Sequence, residues 1–283
     1  QMKKLLAVAV ATAISAPAMA DLTIGGSTEF NLKSENSTTT HDVETNVQFT
    51  ASTTADNGMF VKAFVEIEAS EGSATVNGID TDDNYLQIGN AAANVIVGEK
   101  AASVAWKGGD DSFQATQTTS DTLYTAKNLD SLSTQDTILN ITAVEGLTLQ
   151  VSGNAATSGS DTMGVYAAYT AGGFTLAGNV VSSDTATEDG YALSASTTLG
   201  EAAVAVSFAS NDAEDTGVAL NVGFGAFDVT YARFDDKDSG DETSFYGAYN
   251  VGDLGLSGLN IDLGAGSGSD RETLMGVEVT YSF

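Results

Sequence analysis

After its first twenty residues the sequence is governed by a two-residue period. The last ten residues show it most plainly: Met275, Val277, Val279, Tyr281 and Phe283 share one parity, and Leu274, Gly276, Glu278, Thr280 and Ser282 share the other. Successive side chains of a strand point to opposite faces, so this stretch reads as a strand with one apolar, aromatic face and one mostly polar face. The pattern recurs near the start of the chain. Leu22, Ile24, Phe30 and Leu32 oppose Glu29, Asn31 and Lys33; Val43, Val47 and Phe49 oppose Glu44, Asn46 and Gln48; Val61, Ala63, Val65 and Ile67 oppose Lys62, Phe64, Glu66 and Glu68. A soluble sandwich would bury the apolar parity, but a core drawn from so many alanines and glycines would be thin. A closed barrel in a bilayer accommodates it better, because lipid meets the outward face, water meets the inward face, and no strand edge is left unpaired.

Reading the alternation along the chain gives sixteen strands. After the three above they fall near 84–90, 93–100, 137–144, 147–154, 162–170, 174–182, 191–199, 202–209, 217–224, 227–234, 244–251 and 259–266, followed by the closing strand. Tight connections at 55–58, 89–94, 144–146, 171–173 and 199–202 alternate with longer polar ones, the asymmetry expected of short periplasmic turns and longer extracellular loops. The expected fold is therefore all-β: a 16-stranded antiparallel transmembrane barrel, with fourteen strands as the nearest alternative. Val95, Ile96 and Val97 interrupt the alternation and leave the register of 93–100 open.

Residues 1–20 have the features of a secretory signal peptide: Lys3 and Lys4, an apolar run to about Ile14, and Ala18-Met19-Ala20 before Asp21. The apolar run is well short of the roughly 20 residues a spanning helix needs. Two units follow, a signal peptide at 1–20 and a barrel at 21–283. Without the leader, 8 basic residues face 38 acidic ones, a net charge of −30. Such an excess disfavours nucleic acid and anionic surfaces as partners and favours cations. Cysteine is absent and the only proline, Pro17, lies in the leader, so long ladders run without a proline to interrupt them.

The closing strand, ending in Tyr281, Ser282 and Phe283, resembles the C-terminal assembly signal of Gram-negative outer-membrane barrels, the general porins among them. Tyr85 to Lys100 is similar to the hairpin that precedes the constriction loop in general porins, and Val144 to Leu149 resembles the turn and strand that follow it. The resemblance implies that the long segment 101–136, between the fifth and sixth strands, folds into the barrel and narrows it. Asp110, Asp111, Asp121 and Asp130 would then offer carboxylates there, with Lys107 and Lys127 beside them. An ordinary surface loop is the alternative. General porins commonly set arginines on the wall opposite that loop, and this chain departs from the pattern. Glu99 and Lys100 stand where an arginine is usual, and any basic wall must come from Lys33, Lys62 and Lys100.

Other constellations point nowhere specific. The acidic stretch 235–242 has oxygen ligands and a glycine but lacks EF-hand spacing, and reads as a solvated loop tip. His41 is the only histidine, so neither a zinc site nor a catalytic triad has the residues it needs. Glu66 and Glu68 could be drawn as a glycosidase pair, but on one face of one strand they more simply line a channel. No catalytic residue, cofactor or metal is expected. By resemblance the chain should be a homotrimeric outer-membrane diffusion pore among lipid and lipopolysaccharide, passing ions and small hydrophilic solutes. A structural or adhesive barrel with a closed lumen is the alternative. On the polar parity Glu29, Glu44, Glu66, Glu68, Asp228, Asp262 and Glu278 outnumber Lys33 and Lys62, so cation preference is expected.

Overall fold

The computed structural model describes residues 21–35, 37–72, 78–107, 135–154, 162–183, 189–212, 214–236, 240–269 and 271–283. They form one closed sheet of sixteen antiparallel strands, each paired with its neighbours in sequence and the last with the first. The strands are β1 (Asp21–Glu35), β2 (Thr38–Thr54), β3 (Phe60–Gly72), β4 (Gly78–Gly89), β5 (Ala93–Lys100) and β6 (Gln135–Val144). Next come β7 (Leu147–Gly153), β8 (Thr162–Ala171), β9 (Phe174–Ser183), β10 (Gly190–Leu199) and β11 (Ala202–Asn211). The barrel is completed by β12 (Thr216–Phe224), β13 (Phe227–Asp236), β14 (Gly240–Asn250), β15 (Leu259–Gly268) and β16 (Arg271–Ser282). All sixteen expected strands are present, and the first three run several residues longer than their alternation suggested.

Every expected tight connection is found, and 225–226 and 251–258 join them at the same end of the barrel. At the opposite end several connections are longer, with 36–37, 212–215, 237–239 and 269–270 as short exceptions. Gly146 shows what a tight turn demands. Its φ is 74°, and a Cβ there would stand 2.3 Å from the carbonyl oxygen of Thr170, so both the backbone and the neighbouring strand exclude a side chain.

Parity decides orientation as the sequence implied. Leu22, Ile24 and Met275 are exposed, whereas Asn31 and Leu274, on the other parity, are buried inside the barrel. Outward aromatics gather near the turn end, where Tyr169, Phe174, Phe224, Phe227, Tyr249 and Tyr281 form a girdle; the rings of Phe227 and Tyr249 lie 4.7 Å apart. Among the described residues, none of the large exposed apolar side chains comes from β2, β3 or β4, whose outward Val47, Phe49, Val65 and Ile67 are half-buried. The interruption in β5 also has a physical cause. Val95 and Val97 face outward, while Ile96 faces inward into an apolar cluster with Phe64, Tyr85 and Ile138, so both faces of this strand are apolar.

The seam between β1 and β16 is extended by Phe283. Phe283 and Gly26 exchange backbone hydrogen bonds, each 3.0 Å long. A Cβ on Gly26 would stand 2.2 Å from the Asn46 carbonyl oxygen and 2.8 Å from the Phe283 ring, so the neighbouring strand and the aromatic residue together exclude a side chain there. The register continues inward from there, with Glu29 opposite Thr280, Asn31 opposite Glu278 and Lys33 opposite Gly276.

Candidate functional site

A barrel of sixteen strands is wide enough to hold water. Its inner wall divides into two unlike parts. From β13 through β16 and β1 to β3, the inward positions carry Asp228, Asp262, Glu278, Glu29, Asp42, Glu44, Glu66 and Glu68, together with Lys33 and Lys62. The register sets several of these acids side by side: Glu29 opposes Glu44, and Asp262 opposes Glu278. Like charges directly opposed across strands cost stability unless something screens them. Side-chain amides supply part of that screening. Asn31 donates to Glu29 and, at 3.1 Å, to Asp42; Asn46 donates to Glu44 at 2.7 Å; Gln48 donates to Glu66 at 3.0 Å; and Asn250 donates to Asp262 at 2.9 Å. Near the turn end a cavity of about 600 Å³ is lined by Asp228, Asn250, Asp262 and Glu278.

The other part of the wall, β7 to β12, has no Asp, Glu, Lys or Arg in any of its strands. Its inward positions are small or neutral: Gln150, Asn179, Ala192, Ser207, Ala209, Gly217 and Ala219. Against it, and against β13, lies the segment that follows β5. Ala105 and Trp106 are buried in a cluster with Val181, Ala192, Ala209, Ala219, Ala232 and Phe234. Every second backbone N–H of this segment donates to the wall: Ser103 to Gln150 Oε1 at 2.6 Å, Ala105 to Asn179 Oδ1 at 2.8 Å, and Lys107 to Ser207 Oγ at 3.1 Å. These acceptors sit on β7, β9 and β11, so the segment crosses the strands as a strap inside the barrel.

Between the two parts, on β3 to β5, a small basic patch surrounds an aromatic pair. Phe64 and Tyr85 stack at 5.0 Å, Lys62 lies 5.3 Å from the Phe64 ring centre, and Lys100 lies 5.0 Å from that of Tyr85. Lys62 donates to the Tyr85 hydroxyl at 3.3 Å, and Lys100 pairs with Asp83 at 2.8 Å. The basic contribution of this patch is therefore local and already engaged.

Of the residues singled out in the sequence, Glu29, Lys33, Lys62, Glu66, Glu68, Asp262 and Glu278 face the lumen together, and Lys100 joins the aromatic patch. Glu99 stands apart: it opposes Asn84, on the same outward side as Val95 and Val97. Lys107 is the last described residue of the strap, and its N–H donates to Ser207. Asp110, Asp111, Asp121 and Asp130 lie outside the described residues, as do 237–239 within the acidic stretch. Sequence reasoning missed Trp106, Gln150, Asn179 and Ser207 as a connected set. The available signal was a long uncharged run of strands in which single amides and hydroxyls occupy inward positions.

Comparison with known proteins accords with this architecture. The family model described as Gram-negative porin matches residues 7–283. A multiply substituted variant of the porin from Rh. blastica superposes with a TM-score of 0.68 at 16% identity, covering 93% of this chain and 100% of that one. A triple mutant of the Rhodopseudomonas blastica porin gives 0.67 at 15% identity over the same shares of the two chains. No curated protein sequence matches this chain. At such identity the solved structures speak for the fold, whereas the family match covers nearly the whole sequence. The chain belongs to the Gram-negative porin family, the channel-forming barrels of the outer membrane.

Proposed function

We propose that this chain is a general diffusion porin that passes ions and small hydrophilic solutes, prefers cations and works as a homotrimer. The observation carrying the preference is the acid part of the wall, where carboxylates on β13, β15, β16, β1, β2 and β3 are opposed by amides and by each other. Ions crossing the barrel travel within a Debye length of about 8 Å of such charges at physiological salt, so screening leaves much of the field in place. The uncharged part of the wall offers no compensating cation. A trimer accords with membership of the porin family and with the outward face of β2 to β4, where Val47, Phe49, Val65 and Ile67 form an apolar patch. The acids Asp212 and Asp235 at the loop end suit divalent ions that bridge to lipopolysaccharide phosphates.

In this reading residues 1–20 are removed on export, and N-terminal sequencing of membrane-purified protein should begin at Asp21. The function is tested in planar bilayers. Unitary current steps, with a reversal potential of cation sign across a potassium chloride gradient, are expected. Insertion without current steps would favour a closed structural or adhesive barrel instead. An unheated electrophoretic band near three times the monomer mass checks the trimer.

A further inference from the structure

The strap 101–107 has a seat built for it. Its backbone is held at three alternate N–H groups by side chains of β7, β9 and β11. Its one aromatic side chain, Trp106, is 7% exposed and meets Phe234 edge-on at 5.3 Å. The wall beneath is cut down to fit. A Cβ on Gly217 would stand 3.2 Å from Trp106 Cη2 and 2.6 Å from the Phe234 ring, and Ala192, Ala209 and Ala232 are wholly enclosed. A wall meeting only water would not need methyl groups and bare backbone at these positions. Here they leave the volume that the indole and the strap fill.

The consequence for permeation follows from where the strap lies. It occupies the lumen on the uncharged side, so among the described residues the unfilled cross-section lies toward the acid side. We propose that Trp106 is the positioning residue of the pore: by seating the strap on the uncharged wall it confines the open path to the acid wall, and so sets width and cation preference together. This rests on the reading of the barrel as a cation-preferring channel. Trp106 itself does not contact the permeant ion; it acts through the strap.

Trp106 is the only tryptophan in the sequence, so its emission reports the seat directly. In the full-length refolded protein the emission should be blue-shifted and resist quenching by acrylamide. Ala219→Leu fills the seat and should shift the emission to the red and open it to quenching, with heat-modifiable migration retained. In bilayers Ala219→Leu and Trp106→Ala should raise unitary conductance and move the reversal potential toward zero, while Trp106→Phe should stay near wild type. A folded Trp106→Ala barrel with unchanged conductance and reversal potential overturns the proposal, as does wild-type emission that acrylamide quenches freely. A wild-type protein that passes no current removes the channel reading and the claim on selectivity with it, whereas the quenching result still decides whether the seat exists.

Discussion

From β7 to β12 no strand carries a charge, whereas β13 to β3 place acid after acid on the inward face. Both halves belong to one sheet and share one outward apolar parity, so the membrane cannot be the cause of the difference. What differs is the material each half faces. The uncharged half is covered by the strap around Gln150, Asn179, Ala192, Ser207 and Ala209, where a buried carboxylate would have no counterion. Toward the turn end, at Thr175, Thr198 and Ala203, it is open to a cavity. The acid half faces the solvent of the lumen, where amides and mobile cations can screen opposed carboxylates. The inner wall of a barrel is thus not uniformly polar; its polarity follows what lies against it.

The sharpest way to break the comparison is to exchange the chemistry of the two halves. Ala192→Asp sets an acid under the strap, where an uncompensated buried charge costs about 3–5 kcal/mol. Glu29→Ala on the acid half should leave stability nearly unchanged. Urea titration of both variants in detergent or liposomes measures the difference, and equal losses would mean that the strap does not exclude water from its seat.

Next in size is the contrast between inward and outward faces of a single strand. Val279→Arg should cost roughly 2–4 kcal/mol if it lies near the bilayer midplane, whereas Glu278→Arg should fold nearly normally. Comparable losses of folded protein in a refolding titration would reverse the orientation of β16. At the seam, Gly26→Val forces a side chain against the Asn46 carbonyl oxygen and the Phe283 ring and should cost at least about 1–3 kcal/mol of overpacking. A seam variant as stable as wild type would show that β2 and the ring both move aside freely.

The smallest expected effect concerns screening. Each opposed acid pair, such as Glu29 with Glu44, should cost about 0.2–1 kcal/mol relative to a neutral pair. Raising potassium chloride should therefore stabilise wild type more than a Glu29→Gln, Asp262→Asn double variant. An identical salt response in thermal unfolding would indicate that the amides alone suffice.

The barrel was legible because its signal is collective. A face flip at any one strand would have stood out against fifteen others, and the parity of Glu29, Glu66, Asp262 and Glu278 needed no tertiary information. Asp42 was passed over because it lies just before the alternation of β2 becomes clear, and Glu99 was drawn inward by its resemblance to a motif position. The strap was hidden for a different reason. Its anchors, Gln150, Asn179 and Ser207, are spaced by whole hairpins, and nothing local to Trp106 says which wall it meets. The alanines of β10 to β13 looked like an indifferent surface until the strap supplied what they pack against.

Under the proposed function the cation preference comes from the wall acids rather than from the acids at the loop end. It is tested most directly by comparing reversal potentials in a potassium chloride gradient for two neutralised proteins, Glu29→Gln with Glu44→Gln and Glu66→Gln, and Asp212→Asn with Asp235→Asn. The wall variant should move the potential well toward zero while the loop-end variant stays near wild type; a shift confined to the loop-end variant, or an anion-selective wild type, would contradict the account.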